Sequence, residues 1–487
     1  MKKTWLLLAA LLLPLALTAK TTTIYHTSDV HGFFYPREGQ GGFAALAAVL
    51  KAGPKCYLLL DSGDFANGTV ETRNSKGLKG VQMMNRMGYD AATIGNHEFD
   101  FKGEGVAPLL ANAQFAVLAA NFFETSTGKY PPSVLPYKIF DENGVKVAVI
   151  GLANRVPTNP SKLYSYGKPL AALEKALTAA EAKKPDVVVV LVHDSLQDDK
   201  HGTQSYVGDI GRKFAGRVHV VLGGHAHKIF QNEYINGVLF VESGSYLNNV
   251  SRISVETDDE TGKFVSAKSE LIPLVTAKTG EDEEMKAYAD SLREPGVDEV
   301  VGTASDVLTK LPADENRQDS PLNDWIADLL REYSGAQIAV HNNGGTRVDM
   351  KKGPVTKRDL IDIHPFDNTV TLVTVDGKFL KRFVKKGFAP RSLYTYSGLT
   401  ITYKQNKKGK IKDIEILVDG KPVENRKKYT LVTNSYIAGG GSEGWMFKQI
   451  PDEDKKLAGS KTIRDLMEDA LKKGPVTPPQ TGRIIRR

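Results

Sequence analysis

Short polar segments rich in histidine, aspartate and asparagine recur along the first half of this chain, each soon after an apolar run. The apolar runs are Thr22–His26, Tyr57–Leu60, Ala91–Ile94, Val187–Val192 and Val218–Leu222. The polar residues that follow them are Asp29, His31, Asp64, Asn96, His97, Asp100, His193, His225 and His227. Open α/β sheets carry their working residues at the carboxyl ends of strands. This order therefore predicts that five of the ten histidines converge on one edge of one sheet.

These residue types are the ones that a two-metal hydrolase needs. Two cations about 3.5–4 Å apart can clamp the attacking and leaving oxygens of an in-line displacement. Such a pair requires one bridging carboxylate with nitrogen and oxygen ligands around it, and Asp64 can be the bridge. The members of two other pairs, Asp29 with His31 and His225 with His227, are two residues apart. A tight loop can turn both members of such a pair toward one ion.

The segments between these polar residues predict a layered α/β domain whose sheet is covered by helices. The predicted helices are Phe43–Leu50, Gly80–Met87, Val106–Asn112 and Leu170–Ala182. Later strands around Gly237–Glu242 and Val250–Glu256 are predicted to be antiparallel. We place this domain at residues 20–280 and a helical linker or hinge at 281–300, because a charged helix-like stretch there ends at Pro295-Gly296. The second domain is then 301–487, with helices at Pro321–Tyr333 and Lys378–Lys386 and a hairpin at Leu399–Lys404 and Ile411–Val418.

Length and composition bound the remaining possibilities. The chain has 487 residues, a net charge of +7 and one cysteine, Cys56, so two domains are expected and no internal disulfide can form. We predict that Cys56 is a small buried residue. Residues 1–19 resemble a cleaved signal peptide, because Lys2 and Lys3 precede an apolar run that ends near Ala19. That run is too short to span a membrane. We therefore expect a periplasmic or secreted protein without a membrane anchor.

Four motifs together resemble the metallophosphoesterase signature. They read Asp-Val-His-Gly at 29–32, Gly-Asp-Phe at 63–65, Gly-Asn-His-Glu-Phe-Asp at 95–100 and Gly-Gly-His-Ala-His at 223–227. From residue 22 to 487 the chain resembles the secreted 5′-nucleotidase / UDP-sugar hydrolase family. The resemblance implies a four-layer αββα sandwich followed by an α+β substrate-binding domain, with a hinge between open and closed states. It also implies two divalent metal ions per chain, which the ligand types leave open as Zn, Mn, Fe or Co.

The resemblance assigns a role to each polar residue of the first domain. One metal takes Asp29, His31, Asp64 and His227, and the other takes Asp64, Asn96, His193 and His225. His97 is implied to stabilise charge on the phosphoryl oxygen or the leaving group without binding metal, while Asp100 orients its imidazole. A donor placed where negative charge develops lowers the barrier, and a metal-activated water is the nucleophile.

Three loops of the second domain resemble the family's substrate-binding loops. Asn342-Asn343-Gly344-Gly345-Thr346-Arg347 is similar to the family's Asn-Gly-Gly-Gly-x-Arg segment, in which backbone N–H groups and a guanidinium can bind phosphate. Phe366 and Tyr436 match an aromatic pair that sandwiches a base, and Asn342 and Asn368 match polar contacts to the nucleoside. Stacking of this kind tolerates any base.

Two departures from the family pattern concern the substrate. The last loop reads Gly440-Gly441-Ser442-Glu443-Gly444-Trp445 and lacks the family's ribose-binding aspartate, so Glu443 is the candidate replacement. Arg317 is the only arginine near Ser320, where the family has one or more in register.

We expect hydrolysis of nucleoside 5′-monophosphates in nucleotide catabolism, with UDP-sugars or 2′,3′-cyclic nucleotides as further substrates. The expected partner is a small nucleotide rather than a nucleic acid duplex, and the expected assembly is a monomer or dimer. The alternatives are a thiosulfohydrolase-like enzyme of sulfur oxidation on the same scaffold and a non-catalytic binding protein with a retired site.

Overall fold

The strand Val187–Val192 shows how the first half of the chain is built. Its odd-numbered residues lie in one apolar cluster and its even-numbered residues in another, and all six are buried. A near-continuous apolar run of this kind is typical of a parallel strand that is covered on both faces. The first of these clusters lies between two sheets, and the second lies between a sheet and helices.

The structure is a computed structural model that describes residues 19–154, 158, 161–197, 205–314, 316–388, 392–406, 410–442 and 444–487. The predicted signal peptide (residues 1–18 of it) and Glu443 lie outside the described residues. The chain divides into two compact units, the first ending at Arg293 and the second spanning Glu294–Arg487.

The first unit contains fifteen strands and eight helices within its described residues. The strands are β1 Ala19–Thr27, β2 Leu58–Asp61, β3 Ala91–Ala92, β4 Ala116–Leu118, β5 Phe122–Glu124, β6 Val134–Leu135, β7 Tyr137–Glu142, β8 Val145–Leu152, β9 Tyr164–Tyr166, β10 Val187–Val192, β11 Val220–Gly223, β12 Ile229–Ile235, β13 Val238–Ser243, β14 Asn249–Asp258 and β15 Phe264–Pro273. The helices are α1 Phe43–Ala52, α2 Val70–Asn74, α3 Leu78–Met87, α4 Lys102–Asn112, α5 Pro169–Glu181, α6 Val207–Lys213, α7 Thr276–Thr279 and α8 Glu283–Ser291.

Two mixed sheets form the middle layers of this unit. One has the order β15-β14-β1-β2-β3-β4-β6 and the other β12-β13-β11-β10-β8-β7. Side chains from both sheets fill the cluster between them, which includes Ile24, Leu60, Val189 and Leu222. Helices α1, α3, α4 and α8 cover the outer face of the first sheet, and α5 and α6 cover that of the second. The four-layer αββα architecture implied by the family resemblance is confirmed.

Several predictions about the first unit need correction. The polar segments follow strands of both sheets, so they converge between two sheets and not on one edge of one sheet. Strand β13 pairs in parallel with β11 and antiparallel only with β12, whereas β14 is antiparallel to its neighbours β1 and β15 as predicted. Cys56 is exposed, because it precedes β2 in a surface turn instead of facing the core.

The charged helix that was predicted within the linker is α8, and it packs in the first unit. Met285 and Ala289 belong to the apolar cluster that α1 also joins. Asp282 caps the helix by accepting a hydrogen bond from the backbone N–H of Met285 at 2.9 Å. The backbone N–H groups of Lys357 and Arg358 bond the carbonyls of Glu299 and Val297, so residues 297–299 are tied to the second unit.

The second unit is an α+β fold around a five-stranded sheet. Its strands are β16 Val300–Ala304, β17 Ile338–Asn342, β18 Gly353–Thr356, β19 Thr369–Asp376, β20 Tyr394–Ser397, β21 Leu399–Gln405, β22 Ile411–Val418, β23 Lys421–Pro422, β24 Lys428–Asn434, β25 Lys455–Thr462 and β26 Ile484–Arg486. Its helices are α9 Pro321–Ser334, α10 Lys357–Ile363, α11 Gly377–Lys386, α12 Ser435–Ala438 and α13 Ile463–Lys473. The main sheet has the order β20-β17-β24-β19-β25. Strands β21 and β22 form the predicted hairpin.

None of the helices in the described residues is long and apolar enough to cross a membrane.

Candidate metal centre and substrate-binding loops

Most of the candidate metal ligands lie on left-handed backbone at the ends of strands. Positive φ angles occur at Asp29 (52°), His31 (51°), Asp64 (61°), His225 (75°) and His227 (59°). A non-glycine residue held in such a conformation costs about 1–3 kcal/mol, although aspartate and histidine tolerate it better than most. The left-handed residues make the turns tight, so that side chains close in sequence point toward the same place.

Backbone contacts between neighbouring turns hold the candidate ligands in register. The N–H of Asp29 donates to the carbonyl of Gly63 at 3.0 Å, and the N–H of His31 donates to that of Asp64 at 2.9 Å. Gly95 must lack a side chain, because a Cβ there would lie 2.2 Å from Asp64 Oδ1. The Gly-Asp and Gly-Asn-His motifs therefore lie directly against one another.

The first ligand group consists of Asp29, His31 and His227, whose ligand atoms all lie within 4.8 Å of one another. His227 Nε2 lies 3.4 Å from Asp29 Oδ1 and 3.2 Å from His31 Nε2. His31 Nδ1 contacts the carbonyl oxygen of Asn67 at 2.7 Å. That contact fixes the tautomer with the proton on Nδ1, so Nε2 presents a lone pair to the group, as in many metal-binding histidines.

The second ligand group consists of Asp64, His193 and His225. His193 Nε2 lies 3.0 Å from Asp64 Oδ2, and its Nδ1 lies 2.6 Å from the carbonyl oxygen of Ser62. The same Oδ2 of Asp64 lies 3.9 Å from His31 Nε2 of the first group. One carboxylate therefore connects the two groups.

One orphaned polar atom indicates that the cluster fits divalent metal ions. Asn96 Oδ1 is buried and has no hydrogen-bond partner among the described residues. Leaving a buried polar group unpaired costs about 1–3 kcal/mol. A cation next to this atom would remove that cost, and imidazole, carboxylate and amide oxygen donors together suit Zn, Mn, Fe or Co.

The charges of the cluster support the same interpretation. Burial alone would raise the pKa of Asp64, but His193 and His97 outweigh it and hold that pKa well below its usual range. Burial likewise opposes ionisation of Asp29, yet His227 lowers the pKa of its carboxyl. Burial lowers the pKa of His193, but the carboxylate of Asp64 raises it to about 10. The carboxylates are therefore ionised and available as ligands, and metal binding would displace a proton from His193.

His97 and Asp100 form the pair that the sequence predicts. His97 Nδ1 lies 2.7 Å from Asp100 Oδ2, which also accepts a hydrogen bond from Asn67 Nδ2 at 2.6 Å. The hydroxyl of Thr158 donates to the other oxygen of Asp100. A ring nitrogen of His97 also lies within 4.8 Å of ligand atoms of His31 and Asp64, so His97 borders the metal cluster.

Two buried carboxylates near the cluster were not predicted as site residues. Glu98 accepts hydrogen bonds from the backbone N–H groups of Asp64, Phe65, Ala66 and Gly95 at 2.6–3.1 Å. Glu242 accepts from Ser195 Oγ and from the backbone N–H of Leu196. Burial raises the pKa of Glu98 to about 7 and that of Glu242 to about 8. The signal available for Glu242 was a carboxylate at the end of the apolar run Val238–Val241.

Strand register places the predicted substrate loops at one edge of the second unit's sheet. Strand β17 is parallel to β24, and β19 is antiparallel to β24, with Val370 opposite Asn434. The loops after β17 and β24 and the loop before β19 therefore emerge at the same edge. This edge carries the candidate substrate residues: Asn342 at the end of β17, Gly344, Gly345 and Arg347 after it, Phe366 and Asn368 before β19, and Tyr436 in α12 after β24.

The contacts of these residues are consistent with a ligand-binding edge. The guanidinium of Arg347 lies 6.0 Å from the ring centroid of Phe366. Asn342 Oδ1 accepts a hydrogen bond from Asn434 Nδ2 at 2.8 Å, which orients the Asn342 amide. Tyr436 is 47% exposed and lies over Gly441, where a Cβ would come within 2.4 Å of the ring.

Arg464 holds the backbone on which Phe366 stands. The guanidinium of Arg464 donates to the carbonyl oxygens of His364 and Phe366 at 2.9 and 3.0 Å. Phe366 and Tyr436 make no ring contact with each other in the described part of the chain, so neither serves to pack the other. Arg317 bonds Thr481 Oγ1 at 3.1 Å on the surface, which agrees with its being out of register for phosphate.

Two family descriptions match this chain. Residues 22–229 match calcineurin-like phosphoesterases, and residues 300–449 match the C-terminal domain of 5′-nucleotidases. The fold, the ligand groups and the first match define the first unit as a metallophosphoesterase, a phosphoric ester hydrolase of a class that uses divalent metals. With the second match, the chain belongs to the 5′-nucleotidase family.

Individual relatives agree with this assignment. The chain is 26% identical to the 5′-nucleotidase of Vibrio cholerae, over 86% of this chain and 85% of the relative. It is 29% identical to endonuclease YhcR of Bacillus subtilis, over 81% of this chain, and spans 34% of that protein's length. The 5′-nucleotidase precursor of Thermus thermophilus superimposes with a TM-score of 0.83 at 25% identity, covering 96% and 99% of the two chains. The sulfate thiohydrolase SoxB of the same organism shares the fold, with a TM-score of 0.77 at 15% identity and 96% coverage of each chain.

The contacts of Asp64 predict that its loss removes both metals. We expect Asp64→Ala to lose both ions and nearly all turnover, because its carboxylate belongs to both ligand groups. Chelation of the wild type should have the same effect, and added Mn or Zn should restore activity. Metal content by mass spectrometry and hydrolysis of an aryl phosphate measure the two effects.

Asp61→Asn is the matched control, because Asp61 is a buried aspartate of the same turn. Its carboxyl oxygens accept hydrogen bonds from the Thr27 hydroxyl and the Gly63 backbone N–H and belong to neither ligand group. The control should keep both metals. Full activity of metal-free wild type would contradict a metal-dependent mechanism.

The contacts of His97 predict a different outcome for its removal. His97→Ala should keep near-normal metal content, while turnover falls about 10²–10³-fold, the typical effect of losing one donor to a developing charge. His193→Ala, which removes a candidate ligand, should instead lose metal. Loss of one metal equivalent from His97→Ala would show that His97 is itself a ligand.

Proposed function

We propose that this chain hydrolyses nucleoside 5′-monophosphates to nucleoside and phosphate with two divalent ions per chain. The observation that carries the proposal is the place of Asp64 Oδ2, 3.0 Å from His193 Nε2 and 3.9 Å from His31 Nε2. A carboxylate shared by two ligand groups is what a two-metal phosphoesterase requires.

The proposed ligand sets follow from these two groups. Asp29, His31, Asp64 and His227 would hold one ion, and Asp64, Asn96, His193 and His225 the other. Bound ions supply Lewis acidity at the phosphoryl oxygens and an activated water as nucleophile. The identity of the metals among Zn, Mn, Fe and Co depends on their availability in the compartment.

His97 is proposed to donate a hydrogen bond to the phosphoryl or leaving-group oxygen as negative charge grows there. Asp100 Oδ2 accepts a hydrogen bond from His97 Nδ1–H, which orients the ring, and the doubly protonated imidazolium would present Nε2–H to the substrate. Because Asn67 and Thr158 bond both oxygens of Asp100, the carboxylate is itself held in place. The pair is therefore organised before substrate binds.

The second unit is proposed to bind the organic part of the substrate. Phe366 and Tyr436 would stack on the base, and Asn368 and Asn342 would contact the nucleoside. Phosphate contacts would come from Gly344, Gly345 and Arg347. UDP-sugars and 2′,3′-cyclic nucleotides present the same base and phosphate, so we include them as further substrates of this site.

A thiosulfohydrolase-like activity is the second candidate. It is retained because the loop Gly440–Trp445 departs from the nucleotidase pattern. Ser442 stands at φ 52°, and its carbonyl accepts a hydrogen bond from the hydroxyl of Tyr394. The loop is therefore built on a strained residue at the position next to the missing ribose-binding aspartate. A panel of AMP, UDP-glucose, a 2′,3′-cyclic nucleotide and thiosulfate conjugates tests the two candidates directly.

We also propose that the chain is exported, on the signal-like pattern of residues 1–19. N-terminal sequencing of the protein from the extracytoplasmic fraction should begin at or near Lys20. Recovery of the uncleaved chain in the cytoplasm alone would contradict export.

The aromatic pair predicts how substrate selectivity responds to mutation. Phe366→Ala or Tyr436→Ala should reduce kcat/KM for AMP by roughly 5- to 150-fold, because stacking on a base is worth about 1–3 kcal/mol and 1.4 kcal/mol is about tenfold. Hydrolysis of a small aryl phosphate should change much less. Phe264→Ala is the control, because its ring stacks on His219 in the first unit, and neither residue is a candidate site residue.

Glu443 adds a second arm to this experiment. If its carboxylate replaces the family aspartate, Glu443→Ala should weaken hydrolysis of ribonucleotides more than that of their deoxy analogues. Equal losses on every substrate in both arms would show that these residues support the fold. The thiosulfohydrolase-like candidate would then be favoured.

A further inference from the structure

Two consecutive non-glycine residues, Tyr246 and Leu247, adopt left-handed backbone in the turn between β13 and β14. Their φ angles are 59° and 52°. Aromatic and branched residues rarely take this conformation, and strained residues of this kind cluster at functional sites. Neither residue belongs to the ligand groups, so the strain needs another explanation.

The surroundings hold this turn firmly. The side chain of Leu247 is 2% exposed and belongs to the apolar cluster beneath the first sheet. The backbone N–H of Tyr246 donates to the carbonyl of Asp29 at 2.8 Å. Leu274 N–H donates to the carbonyl of Asn248 at 2.9 Å and closes the other side. The left-handed pair therefore aims the Tyr246 ring in a fixed direction.

That direction is toward the first ligand group. The ring centroid of Tyr246 lies 5.5 Å from that of His31 and 5.1 Å from that of His227. The Tyr246 ring also stacks on that of Phe33, at a centroid distance of 4.4 Å and an interplanar angle of 24°. Together with the backbone bond to Asp29, Tyr246 contacts every member of the first group, and none of its contacts in the described residues reaches His193 or His225.

We propose that Tyr246 is a positioning residue for the first metal ion. Its ring fixes the orientation of the His31 and His227 imidazoles, and its backbone fixes the turn that carries Asp29. The inference rests on the proposed two-metal function, but it concerns only one of the two ions.

The test is a Zn²⁺ titration of chelator-stripped protein that resolves the two equivalents, compared between wild type and variants. Tyr246→Asn removes the ring while asparagine tolerates left-handed backbone. It should weaken one equivalent by about 10- to 100-fold, the usual effect of losing a group that orients metal ligands. Tyr246→Phe should bind both equivalents as the wild type does, because the ring contacts remain.

Two further variants separate positioning from general packing. Phe33→Leu loosens the stack behind Tyr246 and should weaken the same equivalent by a smaller factor, so the inference does not depend on one variant folding. Tyr164→Ala is the matched control, since its ring stacks on Phe122 and contacts no candidate ligand. It should leave both equivalents unchanged.

The outcomes are distinguishable. If the wild type binds two equivalents and Tyr246→Asn weakens neither, or weakens both equally, the positioning role is overturned and the proposed function stands. If the wild type binds fewer than two equivalents, the two-metal function fails and this inference fails with it.

Discussion

The catalytic half of this protein depends on holding strained turns at the ends of strands, and buried carboxylates provide the restraint. Five candidate ligands occupy left-handed backbone, at about 1–3 kcal/mol each. Glu98 alone accepts four backbone hydrogen bonds from the turns that carry Asp64 and Asn96. A hydrogen bond contributes about 0.5–1.5 kcal/mol, and more where the acceptor is charged. Glu98 can therefore offset the strain of the turn at Asp64, and Glu242 restrains the loop after His193 in the same way.

The second constraint is that the ligands come from two sheets. Asp29, Asp64 and Asn96 follow β1, β2 and β3 of one sheet, whereas His193 and His225 follow β10 and β11 of the other. The sequence could not assign strands to sheets, because a run such as Val187–Val192 is apolar on both faces in either arrangement. The prediction of a single sheet edge was wrong for this reason, although the prediction that the residues converge did not depend on it.

The order and spacing of residue types along the chain were enough to find the candidate ligands. A spacing such as that between Asp29 and His31 does not depend on the order of strands in the sheets. The order and spacing were not enough to find Glu98, Glu242 or Tyr246. Their roles arise mainly from contacts between residues far apart in the sequence, as between Glu98 and Phe65, Glu242 and Leu196, or Tyr246 and Asp29, and no local pattern records such contacts. Helix bounds were predicted to within a few residues because they follow apolar periodicity, as for Phe43–Ala52 and Pro169–Glu181. Cys56 was misplaced because a lone cysteine beside a strand carries no periodicity.

The candidate substrate loops of the second unit are held by buried hydrogen bonds where they leave the sheet and are open at their tips. Asn323 Nδ2 donates to the Lys310 carbonyl, so its Oδ1 must accept from Thr346 Oγ1 at 2.6 Å. Because the Thr346 hydroxyl proton is used in that bond, Oγ1 must be the acceptor in its contact with His341 Nε2. The proton of this buried histidine is therefore on Nε2. By contrast, Gly344 has open space around it, and Tyr436 is 47% exposed. Under the proposed function, changes at the tips, such as Ser442 in place of the family pattern, would alter which substrate is bound without changing the hydrogen-bonded base or the candidate metal ligands.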